Sequence, residues 1–201
     1  MKIVGIDLAG SEKRPTGFCL LNQRLECKSW VLYSDKQILQ EVFRAKPKIV
    51  SIDAPLCLPK GRKSLSQRGP PHLRKCDKEL LERGIKFFPV TLGPMRKLTA
   101  RGIKLKKILE RKGFKVIETF PGAAQDLLGL PRKQHGIEKL RKGLQRLGIK
   151  GISKKMGGDE LDAITCALVG LLFLKGEYQA LGDSEEILMI LPKNLSKLRK
   201  A

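Results

Sequence analysis

The stretch MKIVGIDLAGSEKRPTGFCLL, residues 1–21, sets the architecture. Met1 to Ala9 is a compact apolar run of the kind a buried strand needs, and Gly10 to Thr16 is rich in turn-forming residues. Gly17 to Leu21 then reads as an antiparallel partner, so the chain opens with a β-hairpin. Side chains alternate along a strand, which puts Ile3, Gly5 and Asp7 on one face and Val4, Ile6 and Leu8 on the other. An acid therefore ends an otherwise apolar strand.

Working outward, Glu26 to Tyr33 reads as a third strand. Ser34 is placed to cap a helix that runs to Phe43, with Ile38, Leu39, Val42 and Phe43 on one face. Lys48 to Asp53 is a fourth strand, stopped by Pro55 and Pro59. Residues 60–113 form a basic insertion, Gly/Pro/Arg-rich at first and then helical over Lys75–Arg83 and Leu98–Arg111. Lys115 to Phe120 is a fifth strand that Pro121-Gly122 ends. A short basic helix follows over Ile137–Leu147, then a strongly apolar helix over Asp159–Leu174, and a last strand over Glu186–Leu191. The order predicts an α/β fold in which residues 1–201 form a single domain.

Charge is distributed unevenly. The 201 residues carry 41 Lys+Arg against 20 Asp+Glu, a net +21. Residues 60–115 hold eighteen basic side chains against four acidic ones, and residues 131–155 hold nine against one, so two stretches supply nearly all of the excess. A lysine-rich solvated surface would not be segregated in this way; a surface for a polyanion such as DNA or RNA would be. On the second insertion helix Lys97, Arg101, Lys104, Lys107 and Arg111 line up as a basic stripe for phosphates. Membrane insertion is excluded as a reading, because the longest apolar run, Ala163 to Leu174, is about half the roughly 20 residues a spanning helix needs. Five cysteines without a C-x-x-C pair point to reduced thiols in a cytoplasmic protein, not to a disulfide framework or structural zinc. With two histidines, most Ser/His/Asp triads lack material. No G-x-x-x-x-G-K-[ST] loop occurs.

Acids in apolar surroundings are the candidate chemistry. Asp7 and Asp53 end apolar strands, Glu118 shares a face with Val116 and Phe120, and Asp159 and Asp162 stand one turn apart at the start of the apolar helix. A carboxylate there must protonate, pair with a base or bind a metal. Asp159 and Asp162 also fit a bland reading, as an N-cap and an N3 acid. Taken together, oxygen ligands without histidine or thiolate predict Mg²⁺ or Mn²⁺, and a carboxylate cluster holding two such ions is suited to phosphodiester hydrolysis.

The same residues carry a resemblance. GIDLAGSEKRPTGFCLL resembles the first hairpin of the RNase H-like superfamily, SIDAPL its acid at the end of the fourth strand, and GDELDAITCAL the final helix of RuvC-type resolvases. The set GIDLAG, SIDAPLCLP, LRKCDKELLERGIKFFP, KVIETFPG and GDELDAITCA is similar to domain-of-unknown-function family 429, described as predicted nucleases. The resemblance runs from residue 1 to about 175. It implies a central mixed five-stranded sheet with an antiparallel first hairpin and helices on both faces. It also implies Asp7, Asp53 and Asp162 as metal ligands, with Asp159 and Glu118 as further ligands or orienting groups. Arg74 and Asp77 match a motif of unassigned role, for which an ion pair fixing the insertion is the preferred reading. The expected function is a metal-dependent nuclease. A non-catalytic nucleic-acid-binding protein is the alternative, and an actin- or sugar-kinase-like phosphate binder ranks last because no second copy of the fold is visible.

Overall fold

The computed structural model describes residues 1–193 as one mixed sheet clasped between two layers of helices. Strands β1 (Lys2–Asp7), β2 (Thr16–Asn22) and β3 (Cys27–Leu32) form an antiparallel meander. Helix α1 (Asp35–Ala45) crosses over to β4 (Ile49–Asp53), which pairs parallel to β1. Ser34 caps α1, and Gln37 returns the bond to the Ser34 backbone, a reciprocal capping box. Helices α2 (Lys75–Glu82) and α3 (Gly93–Arg111) come next, and then β5 (Val116–Thr119), parallel to β4. Helix α4 (Pro121–Leu127), a short 3-10 turn (Lys133–His135) and α5 (Ile137–Arg146) lead to α6 (Gly158–Leu174). A terminal hairpin, β6 (Tyr178–Leu181) and β7 (Met189–Pro192), completes the sheet in the order β3-β2-β1-β4-β5-β7-β6.

The implied five-stranded sheet is the first five strands of seven, and the last strand expected over Glu186–Leu191 is β7, Met189–Pro192. β7 extends the sheet beyond β5 and pairs with it through Glu118 and Met189, and β6 covers the edge. The four-residue β6 gave too short a pattern to read. Helix α4 also escaped the sequence: Pro121-Gly122 reads as a stop, but proline at the first helical position lacks only an N–H that would be orphaned anyway.

The pleat alternation expected for β1 holds. Val4, Ile6 and Leu8 pack with Val50, Ile52, Leu105 and Leu109 under α1 and α3, whereas Ile3 packs with Ile49, Ile164 and Ala167 under α6. The second half of residues 60–113 is therefore part of the main core, since α3 buries Leu105 and Leu109 against the sheet. Helix α6 is buried through most of its length. It lies so close to the sheet that a Cβ on Gly5 would fall 2.1 Å from the Ala163 carbonyl oxygen, and one on Gly17 would fall 2.0 Å from the Asp159 carbonyl oxygen. Side-chain-free strand positions let the helix N-terminus press onto the ends of β1 and β2, bringing its acids to Asp7.

Candidate active site

Asp7 and Asp53 end two parallel strands and are direct register partners. Same-face neighbours on paired strands project together, so the two carboxylates stand side by side where β1 and β4 end. Asp162 joins them from the start of α6. Neither Asp159 nor Asp162 caps that helix: Gly157 is the N-cap, and the Glu160 side chain bonds the Gly157 N–H at 3.0 Å. With the capping work done by Glu160, Asp159 and Asp162 are left for the cleft.

A lysine sits among them. Lys133 Nζ lies 2.9 Å from Asp159 Oδ1, 2.9 Å from Asp162 Oδ2 and 3.3 Å from Asp7 Oδ2. Gln125 on α4 donates from Nε2 to Asp162 Oδ1 at 2.7 Å and to Thr165 Oγ1 at 3.2 Å, fixing the carboxylate from behind. Among the described residues no donor hydrogen-bonds to Asp53. One ammonium among four acids leaves the site under-neutralised, and the proton affinities reflect it. Burial, then the charges of Asp162 and Asp159, push Asp7 up to about 7 against the pull of Lys133. Asp53 is raised well above the usual carboxylate range by burial and then by Asp7 and Asp162. For Lys133, burial opposes the charge, but Asp7 and Asp162 overcome it and hold the ammonium protonated.

Glu118 is not drawn into this cluster. It opposes Ile52 in the β4–β5 register, one residue before the pair Asp53–Thr119, so it leaves the sheet on the face opposite to Asp53. Its partners are Arg74 and the chain after β4. Arg74 Nη1 lies 2.7 Å from the carboxylate and Leu56 N–H donates to Oε2 at 2.8 Å. Arg74 also forks onto Asp77, Nη2 to Oδ1 at 2.9 Å and Nε to Oδ2 at 3.1 Å. All three side chains are buried, so Arg74 and Asp77 do form an ion pair that fixes α2, and Glu118 is its third member. Burial raises the Glu118 proton affinity against the opposing pull of Arg74.

Of the basic stripe on α3, four members face solvent and one does not. Lys97, Lys107 and Arg111 are exposed; Lys104 is exposed but reaches Asp35 at 2.9 Å. Arg101 is turned inward, bonding Asp35 Oδ1 at 2.7 Å, the Ala9 carbonyl at 2.8 Å and the Tyr33 carbonyl at 2.6 Å. At about 100° per residue, Arg101 is the stripe member nearest buried Leu105, only about 40° away round the helix. The stripe as written in sequence is wider than the solvent face.

The acids open onto a two-lobed cleft. One lobe, about 300 Å³, is lined by Asp7, Asp53, Asp162, Glu118, Phe87, Phe88, Phe120, Met95 and their neighbours. The other, about 740 Å³, is lined by Ser11, Arg14, Lys97, Asp159 and the start of α3. Asp7, Met95, Leu98 and Lys133 belong to both.

The matching family model is "Protein of unknown function (DUF429)", and it spans residues 5–187. The chain belongs to this family. Among solved structures the chain is similar to Thermus thermophilus RuvC in complex with a Holliday junction substrate, at 13% identity and a TM-score of 0.53, over 94% of this chain and 100% of that one. A second RuvC structure from the same organism matches at 13% identity and a TM-score of 0.49, with the same coverage. No curated protein matches the chain by sequence. The fold of this DUF429 member is RuvC-like, of the RNase H-like class.

Such a fold raises the question of a metal. Among the described residues no three His, Cys, Asp or Glu side chains are spaced to close round an ion. Asp7, Asp159 and Asp162 close round the Lys133 ammonium instead. In chemistry the donor set fits a hard divalent cation: only carboxylate oxygens, pressed together and short of positive charge. Lys133 marks where positive charge is wanted, and its side chain is 37% exposed, with room to withdraw. Two residues of the cluster escaped the sequence. Gln125 lies in the unread α4, and Lys133 is one of nine basic residues in its stretch with no local feature to single it out.

Proposed function

We propose that this protein is a metal-dependent nuclease that hydrolyses nucleic-acid phosphodiester bonds. The observation that carries the reading is the pairing of Asp7 with Asp53 at the ends of parallel strands, with Asp162 opposite and too little positive charge to balance them. Asp7, Asp53 and Asp162 would hold Mg²⁺ or Mn²⁺, with Asp159 at the margin. A bound pair of such ions supplies activation of the attacking water and neutralisation of the leaving oxygen. Gln125 holds the Asp162 carboxylate in one orientation. With a cation held by the acids, the Lys133 ammonium would be free to pair with a phosphate oxygen. Lys97, Lys107 and Arg111 approach the backbone from α3 and supply sequence-independent attraction.

A second reading, a nucleic-acid-binding protein without catalysis, is favoured by the lysine at the centre of the acids. Two measurements separate them. Incubation of single- and double-stranded DNA and RNA with Mg²⁺ or Mn²⁺ should give cleavage that Asp7→Asn and Asp53→Asn abolish. Calorimetry should show Mn²⁺ binding that the double variant loses. Salt-sensitive binding of nucleic acid with neither cleavage nor ion uptake would refute the nuclease reading.

A further inference from the structure

The two lobes of the cleft differ in chemistry. The larger is hydrophilic where it matters for a backbone: Arg14, Lys97 and Lys133 line it together with Ser11. The smaller is walled by Phe87, Phe88, Phe120, Met95 and Leu98, with Lys86, Arg132 and Lys133 also in its lining. Phe87 and Phe88 are adjacent but differ in burial. Phe87 packs against the core under α6, whereas Phe88 is 67% exposed although it lines the lobe. An aromatic ring left largely in water beside a concave apolar wall is a stacking surface without an occupant.

The acid in this lining is already engaged. Glu118, 1% exposed, lines this lobe, and its Oε2 takes the hydrogen bonds from Leu56 and Arg74. Its Oε1 lies 2.7 Å from Arg74 Nη1 and is shut off from the lobe, so the acid belongs to the ion pair and not to the recognition surface. Apolar walls and an exposed ring describe a pocket for a flat heterocycle. The cations around it describe what that heterocycle is attached to.

We infer that the smaller lobe receives a single unpaired nucleobase next to the scissile phosphate, stacked on Phe88, while the neighbouring backbone lies in the Arg14–Lys97 lobe. That the phosphate is scissile rests on the nuclease reading; the pocket adds the substrate class, strands with an unpaired nucleotide (a single strand, a bulge or a splayed junction) rather than continuous duplex. A lobe of about 300 Å³ takes one base and its sugar, not a base pair with two backbones. Extruding a base costs least where it is already unpaired, so the pocket selects such sites.

The test uses the full chain with Ca²⁺ in place of Mg²⁺, and three DNA probes: a duplex with one bulged nucleotide, the same duplex with an abasic bulge, and the fully paired duplex. The wild type should bind the bulged probe more tightly than the other two, by on the order of ten-fold for one stacked base. Phe88→Ala should lose that same factor on the bulged probe and nothing on the abasic or paired probes, because removing ring and base separately or together removes one contact. Phe88→Trp should restore it. Phe88 is exposed, so Phe88→Ala should melt with the wild type. Equal affinities for all three probes, or an equal loss on all three with Phe88→Ala, would overturn the inference. The nuclease reading fails on its own terms, by absence of cleavage that depends on Asp7, whatever the binding probes report.

Discussion

Asp7→Asn should stabilise this protein at pH 8 and leave it unchanged at pH 4. In the folded state the Asp7 carboxyl is pushed up to about 7 from an ordinary 3.8. The folded protein therefore holds a proton there that the unfolded chain has already released. Stability from this group is fully present below pH 3.8 and is lost as the pH rises through about 7. At 1.36 kcal/mol for each pKa unit, the three-unit rise corresponds to about 4 kcal/mol of folding free energy forfeited at pH 8. Asparagine carries no ionisation to forfeit, and it leaves Lys133 still paired with Asp159 and Asp162. For a chain of this size about 4 kcal/mol is roughly 10 °C in melting temperature. Thermal melts without divalent metal, from pH 4 to pH 8, should show wild type and Asp7→Asn coincident at the acid end and separating as the pH rises. Adding Mn²⁺ at pH 8 should close the gap by raising the wild type alone. A variant that melts lower than wild type at pH 8, or an offset that does not depend on pH, would refute the account of crowded, under-neutralised acids.

Lys133→Met should bind Mn²⁺ at least about ten-fold more tightly by calorimetry, since charge-assisted contacts worth roughly 1.5–3 kcal/mol each no longer have to break first; weaker binding would show that the lysine does not compete. Arg74→Met strands Glu118 and Asp77 in the interior and should cost about 3–5 kcal/mol in urea unfolding, whereas Lys107→Ala should fall within about 0.5 kcal/mol. Arg101→Ala should destabilise the fold by the same assay, because it leaves Asp35 and two carbonyls short of a donor, while Lys97→Ala and Arg111→Ala should each reduce the salt slope of nucleic-acid binding by about 1. Gly5→Ala places a Cβ 2.1 Å from the Ala163 oxygen, so α6 must lift; overpacking should cost roughly 1–3 kcal/mol or more and weaken Mn²⁺ binding together with stability.

No helix among the described residues is long and apolar enough to cross a membrane. Cys19, Cys27, Cys76 and Cys166 are buried free thiols, and Cys57 is half-buried. The basic helix α5 exposes Lys139, Lys142 and Arg146, which line neither lobe of the cleft, as Lys107 and Arg111 of α3 do not.

The acids at strand ends were legible because each betrays itself locally. Asp7 and Asp53 interrupt apolar alternation, and a two-residue period assigns them a face without knowledge of the partner strand. The apolar helix carrying Asp162 was equally plain. Glu118 met the same test and yet stands apart, because its face depends on the register of β5 against β4, and register is a property of two strands. Arg101 belongs to a stripe whose width on paper exceeds the exposed width of α3, and only packing on the sheet shows where solvent begins. Lys133 and Gln125 carry no pattern at all: each is an ordinary residue in a connecting stretch, delivered to Asp162 by the course of the chain between β5 and α6. Sequence alone determined the hairpin, the acid-bearing strands and the buried helix, since periodicity and chain breakers act over a few neighbouring residues. Tertiary structure decided which carboxylates share a charge and which cation answers them, because electrostatic energy depends on distance in space and takes no account of distance along the chain.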